Sequence, residues 1–157
     1  MSRDIHYIVW GEFGDWGIDH TEPDAIHHIL PQWIEAVDRD FNHPAIIGWC
    51  PFNETWNQFG TTARRILRSV YEETKRLDPT RPVIDTSGGY HVITDVYDQH
   101  DYDQNPENFR KSYADYNGKA DSFKLLYKNE QIYIPDLPFF MSELGGIKWI
   151  PESKRKG

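Results

Sequence analysis

Apolar residues along this chain fall into two kinds of run, short continuous ones of strand length and longer ones spaced by three and four. Ile5 to Trp10 is apolar and β-branched and gives way to Gly11, Gly14 and Gly17, which predicts a buried strand opening into a loop. Pro31 suits the first position of a helix, with Trp33, Ile34, Val37 and Phe41 on one face and an end at Asn42-His43-Pro44. Ala45 to Cys50 is apolar without a break, as a strand covered on both faces must be, and polar Asn53-Glu54 follows closely. From Thr61 to Leu77 the pattern is helical: Ala63, Ile66, Leu67, Val70 and Leu77 share a stripe, Arg64, Arg68, Glu72 and Lys75 lie elsewhere, and Asp78-Pro79 stops it.

Further on the runs shorten. Pro82 to Asp85 predicts a short strand leaving through Ser87-Gly88-Gly89, and Val96 to His100 a more polar one. Asn105 is placed to cap a helix from Pro106 to Tyr116. Asn117 to Leu137 reads as an irregular insertion with a short helix at Ser122 to Tyr127. Pro138 to Ser142 is the last strand, Glu143 stands at its end, and the charged tail from Glu152 is expected to fray. Strand, loop, helix and strand recur without a hairpin, so the expected fold class is α/β with a parallel sheet. A closed (β/α)8 TIM barrel takes about 250 residues. These 157 residues would therefore form one partial barrel of roughly five βα units, an excerpt of a larger enzyme.

Composition narrows the function. The net charge of −8 disfavours a nucleic-acid partner, and no apolar run is long enough to span a bilayer. The apolar stretch before Gly11-Glu12 is too short for a signal-peptide core, so no leader is expected, and a cytoplasmic location would follow for a complete chain. The single cysteine, Cys50, excludes an internal disulfide framework and a multi-cysteine zinc site, and reads as a small buried hydrophobe. His27-His28 with Asp24 lacks the spacing of a zinc-binding helix, so neither metal nor cofactor is expected. Arg64-Arg65 and Lys154-Arg155-Lys156 read as solvated. Aromatic residues reach 15%; flat rings suit sugar faces, but they suit cores equally, and Trp33, Trp49 and Tyr97 are expected to be core.

Two glutamates follow directly on apolar strands: Glu54 after Ala45–Cys50 and Glu143 after Pro138–Met141. The C-terminal ends of parallel barrel strands open on one face, where catalytic groups gather. Two carboxyl groups across one cleft are what glycosidic cleavage needs, one as proton donor and one as nucleophile. Each also has a plainer reading, Glu54 as a helix-start carboxylate and Glu143 as a loop-end charge.

The string from Asn42 to Glu54, including Ile46-Ile47-Gly48-Trp49 and Asn53-Glu54, resembles the fourth strand of glycoside hydrolase family 2, the β-galactosidase and β-glucuronidase group. Pro138 to Gly146 is similar to its seventh strand, Arg81 to Gly89 to its fifth, Asp98 to Tyr102 to its sixth, and Tyr7 to Gly17 to its third. The resemblance implies that Glu54 is the acid/base and Glu143 the nucleophile of a retaining mechanism. It implies that Asn53 binds the sugar 2-hydroxyl, that His100 and Tyr102 flank the site, with the Tyr102 hydroxyl orienting Glu143, and that Trp56 is a stacking wall. Trp10, Glu12 and Trp16 lie near the pocket without an assigned role. The first, second and eighth strands of the family are absent from this chain.

The function expected is therefore hydrolysis of β-galactoside- or β-glucuronide-like substrates by double displacement, with a carbohydrate as partner. The alternative is a sugar-binding or assembly module without turnover. A partial barrel has raw sheet edges, which would be covered by another copy of the chain or by the rest of its polypeptide. A metal-dependent hydrolase is the third and weakest reading.

Overall fold

A computed structural model describes residues 7–55, 59–117, 126, 129–131, 134, 136–146 and 151–154. Across them run β1 (Val9–Glu12), α1 (Ala25–Asp40), β2 (Ile46–Cys50), α2 (Thr61–Leu77), β3 (Tyr97–Asp101), α3 (Pro106–Tyr113), β4 (Phe139–Leu144) and a 3-10 turn at Glu152–Lys154. β1 pairs with β2 and β3 with β4, both in parallel, as two separate two-stranded sheets. Residues 82–87 run beside β2 through single parallel bridges, Trp49 to Val83 and Asn53 to Ser87. The expected strand at Pro82 to Asp85 is thus a bridging segment. Pro82 has no N–H to give a ladder, and the Asp85 carboxylate accepts instead from Val92 N at 2.6 Å and Ile93 N at 3.1 Å. Beyond it, Gly88 N donates to Asp98 Oδ1 at 2.6 Å, which ties the segment to β3. The result is a parallel arc that does not close among the described residues.

α1 and α2 cover the β1–β2 side. Ala25, Ile29, Trp33 and Val37 fall every fourth residue along α1 and are buried. They join Ile66, Leu67 and Val70 of α2 and Trp49 of β2 in one core, where each fully buried aliphatic side chain contributes about 1.5–3 kcal/mol. Trp33 stands edge-on to Trp49 at 6.0 Å, and its indole N–H donates to Thr74 Oγ1 at 2.7 Å. The end of α2 is fastened to β2 as well. Asp78 accepts from the Trp49 indole at 2.8 Å and from Arg81 Nη1 at 2.6 Å, while Arg81 Nε donates to the Ile46 carbonyl at 2.8 Å. Burial alone would raise the Asp78 pKa, but the hydrogen bonds from Thr80, Trp49 and Arg81 hold it well below the usual carboxylate range.

α2 occupies the expected Thr61–Leu77, and Cys50, Trp33, Trp49 and Tyr97 are buried as expected. α1 differs: it starts at Ala25 and carries Pro31 inside it, because Ile26, Ile29 and Leu30 extend the apolar stripe back through the first turns. β1 lies at Val9–Glu12, later than expected; the part of that expectation on residues 5 and 6 lies outside the described residues, as does most of the short helix expected at 122–127. α3 is capped by Asn105, whose side chain accepts from Glu107 N and Asn108 N, but it ends at Tyr113. Tyr113 links it to β3, donating to Asp101 Oδ2 at 2.8 Å and accepting from Gln99 Nε2 at 2.6 Å. No described helix is long and apolar enough to cross a membrane.

Candidate active site

The arc brings the ends of its strands to one side, and the expected site residues gather there. After β2, the backbone of Phe52, Asn53 and Glu54 is held by the neighbouring segment: Ser87 N donates to Phe52 O and Glu54 N to Ser87 O, both at 2.8 Å. Glu54 has φ of 52°, the left-handed region that costs a non-glycine residue roughly 1 kcal/mol or more. Glu143 lies within β4, one residue further into the strand than expected, and pairs with His100 across a register shift between Gln99 and His100. That shift turns both side chains toward Glu54.

His100 is the hub. Its ring is 5% exposed, with Nδ1 3.0 Å from Glu54 Oε1 and Nε2 3.5 Å from Glu143 Oε1. Nε2 also meets Ser87 Oγ at 3.0 Å. The two glutamates differ in shelter: the Glu54 side chain is 18% exposed and that of Glu143 40%. The ring fits because residue 88 is glycine at φ of 61°; a Cβ there would overlap the imidazole. The Tyr102 hydroxyl donates a short hydrogen bond to Glu143 Oε2, and that bond together with burial pushes the phenol pKa well up. Asn53 Oδ1 is buried and has no hydrogen-bond partner among the described residues, an acceptor left open beside Glu54. Trp56 lies outside the described residues.

Carboxylates beyond the pair shape the electrostatics. Glu12, at the end of β1, has its pKa raised by partial burial and then by Glu143, against the pull of His100 and with further repulsion from Asp98 and Glu54. Asp98 is buried beneath His100 and also titrates high, through burial, although His91, Ser142 and the Gly88 amide stabilise its charge. Ser142 Oγ donates to it in a short hydrogen bond, and Ser87 Oγ lies 3.3 Å away. Sequence reasoning missed the roles of Ser87, Asp98 and Ser142 here. Glu12 carried a signal, since it is a third glutamate on a strand end, whereas the serines carried none. Of the groups considered for metal, His27 and His28 are exposed on α1. Glu54, His100 and Glu143 instead bring one donor atom each within 4.8 Å of one another. An O, N, O set of this size could hold a divalent cation, but the imidazole already bridges the two carboxylates.

A sequence profile described as glycosyl hydrolases family 2, TIM barrel domain, matches residues 6–131. The chain belongs to glycosyl hydrolase family 2. Human β-glucuronidase is 41% identical over 59 residues, 38% of this chain and 9% of its own length. The Sus scrofa β-glucuronidase is 39% identical over 59 residues, with the same coverage. The β-galactosidase of Vibrio cholerae serotype O1 is 35% identical over 77 residues, 48% of this chain and 7% of its own length. The matches thus span less than a tenth of these relatives. The family 2 match takes in Glu54 and His100 and ends before Glu143. Membership identifies the parallel arc as part of a (β/α) barrel, unclosed over the described residues.

Proposed function

We propose that this chain carries the two-glutamate cleft of a retaining glycoside hydrolase acting on β-galactoside- or β-glucuronide-like substrates. The observation that carries the reading is the convergence of Glu54 and Glu143 on His100, with donor atoms of all three within 4.8 Å. Retaining enzymes hold their carboxyl groups about 5–5.5 Å apart, whereas inverting ones leave about 6.5–9.5 Å for a water molecule. In the first step the Glu143 carboxylate attacks the anomeric carbon while Glu54 gives its proton to the departing glycosidic oxygen. The sugar is left esterified to Glu143. In the second step Glu54 takes a proton from water, the water oxygen bonds to the anomeric carbon, and the Glu143 carboxylate leaves. Tyr102 keeps the attacking carboxylate turned toward the sugar, and the Asn53 carbonyl accepts from a ring hydroxyl.

The reading is tested by Glu143→Gln in the full polypeptide. Turnover of an aryl glycoside should vanish, together with covalent labelling by a 2-fluoro sugar; turnover at the wild-type rate removes Glu143 from the nucleophile role.

A second reading, a sugar-binding or assembly module without turnover, is favoured by the flanks of the arc. Tyr7 and Ile8 before β1, Val9 at its start, and Phe140 and Leu144 of β4 are exposed. Titration calorimetry with galactosides and glucuronides beside a chromogenic assay separates the two. Saturable binding without hydrolysis supports the module.

A further inference from the structure

The loop after β1 buries a carboxylate that the proposed chemistry does not use. Asp15 is 3% exposed, and its Oδ1 accepts from the backbone N–H of Asn53 at 3.1 Å. Its Oδ2 lies 3.4 Å from Nε2 of His20, which is also buried and stands edge-on to Phe52 at 4.8 Å. The same loop reaches β2 a second time, where Phe13 N donates to Cys50 O at 3.0 Å. The chain leaving β2 is therefore gripped from two sides. Ser87 takes Phe52 O and Glu54 N, and Asp15 takes the amide between them.

Keeping a charge at this position is costly. Burial drives the Asp15 pKa up to about 6, partly offset by the Asn53 hydrogen bond, and Glu12 and Glu54 add repulsion. A neutral side chain of similar size would be cheaper to bury. What the carboxylate supplies is an acceptor for the Asn53 amide. Without it, that N–H would be left unpaired beside a residue already held at positive φ.

We propose that Asp15 is a positioning residue: by holding the Asn53 amide it sets the turn that aims Glu54 across the cleft at Glu143. The inference rests on the function proposed above. It acts through the proton donor, so its signature lies in the leaving group. A poor leaving group needs the proton from Glu54, whereas a good one departs without it.

The test measures kcat/KM in the full polypeptide on two aryl glycosides, one with a poorly acidic and one with a strongly acidic phenol. Asp15→Ala should lose about 10²-fold on the first and little on the second. Asp15→Asn, which keeps the acceptor and removes the charge, should stay near wild type on both. The ratio of the two rates does not depend on how much protein folds, so partial misfolding cannot imitate the result. If Asp15→Ala yields no folded protein, Asp15→Glu replaces it. Its extra methylene displaces the Asn53 amide and should produce the same selective loss. An unchanged ratio, or Asp15→Asn as impaired as Asp15→Ala, overturns the inference while the two-glutamate reading stands. Hydrolysis that survives Glu143→Gln overturns both.

Discussion

The exits of β2 and β4 each present one glutamate, yet they are built differently. Glu54 leaves β2 on a strained turn whose backbone is held by Ser87 on one side and Asp15 on the other. Glu143 sits in β4 beside its register shift, is more exposed, and is steered through its side chain by Tyr102, while the His100 imidazole meets both glutamates. In the proposed mechanism the first group must find two different oxygens in turn, the leaving group and then water, while the second attacks one carbon. Backbone clamping suits the former. For the latter, the Tyr102 hydrogen bond to the carboxylate itself is enough.

Among variants that probe this contrast, the largest effect is expected from Gly88→Ala, which displaces the imidazole that both glutamates meet. The added methyl collides with His100 at a left-handed backbone position. A misplacement of about 1 Å can cost about 10²-fold in rate, and the strain should remove about 1–3 kcal/mol of stability. Paired kinetics and denaturant melts check this. A variant with wild-type kcat would mean that the imidazole is not what holds the two carboxylates in place.

Next comes the pH dependence of the clamp. The folded-state pKa of Asp15, about 6, lies above its reference value of 3.8, so the folded protein binds that proton more tightly. Its penalty is fully present above pH 6 and is relieved as the pH falls toward 4, so this group makes stability decrease as pH rises through that window. At about 1.4 kcal/mol per unit, the swing is about 3 kcal/mol. Urea melts of wild type and Asp15→Asn at pH 4.5 and 7.5 should show about 2 kcal/mol of that swing in the former and less in the latter. Equal slopes would refute the assignment.

The smallest effect is on the open side. Tyr102→Phe removes one hydrogen bond to Glu143 from a partly exposed phenol. It should lower kcat about tenfold, equivalent to about 1.4 kcal/mol, with little change in melting temperature. A loss as large as that of Gly88→Ala would erase the contrast between the two exits.

The parts legible beforehand were those whose signal is local. α2 was readable at both ends because its stripe is long and Asp78-Pro79 terminates it. Asn105 was recognisable as a cap for the same reason. The start of α1 is not legible in the sequence because Pro31 looks like a first helical residue, while the packing of Ala25 and Ile29 in the shared core carries the helix straight through it. Glu54 and Glu143 were visible because each ends an apolar run. Asp15, His20, Asp98 and Ser142 were not, since their meaning arises only when segments far apart in the chain close around Asn53 and His100. A buried acid looks the same in sequence as one facing water.

The fastening of Trp49 and Ile46 to the far end of α2 has a mechanical result. With the Asp78 carboxylate on the Trp49 indole and the Arg81 guanidinium on the Ile46 carbonyl, β2 is pinned lengthwise and cannot slide along its neighbours. The height at which Glu54 emerges is thereby set from outside the strand, by Asp78 and Arg81.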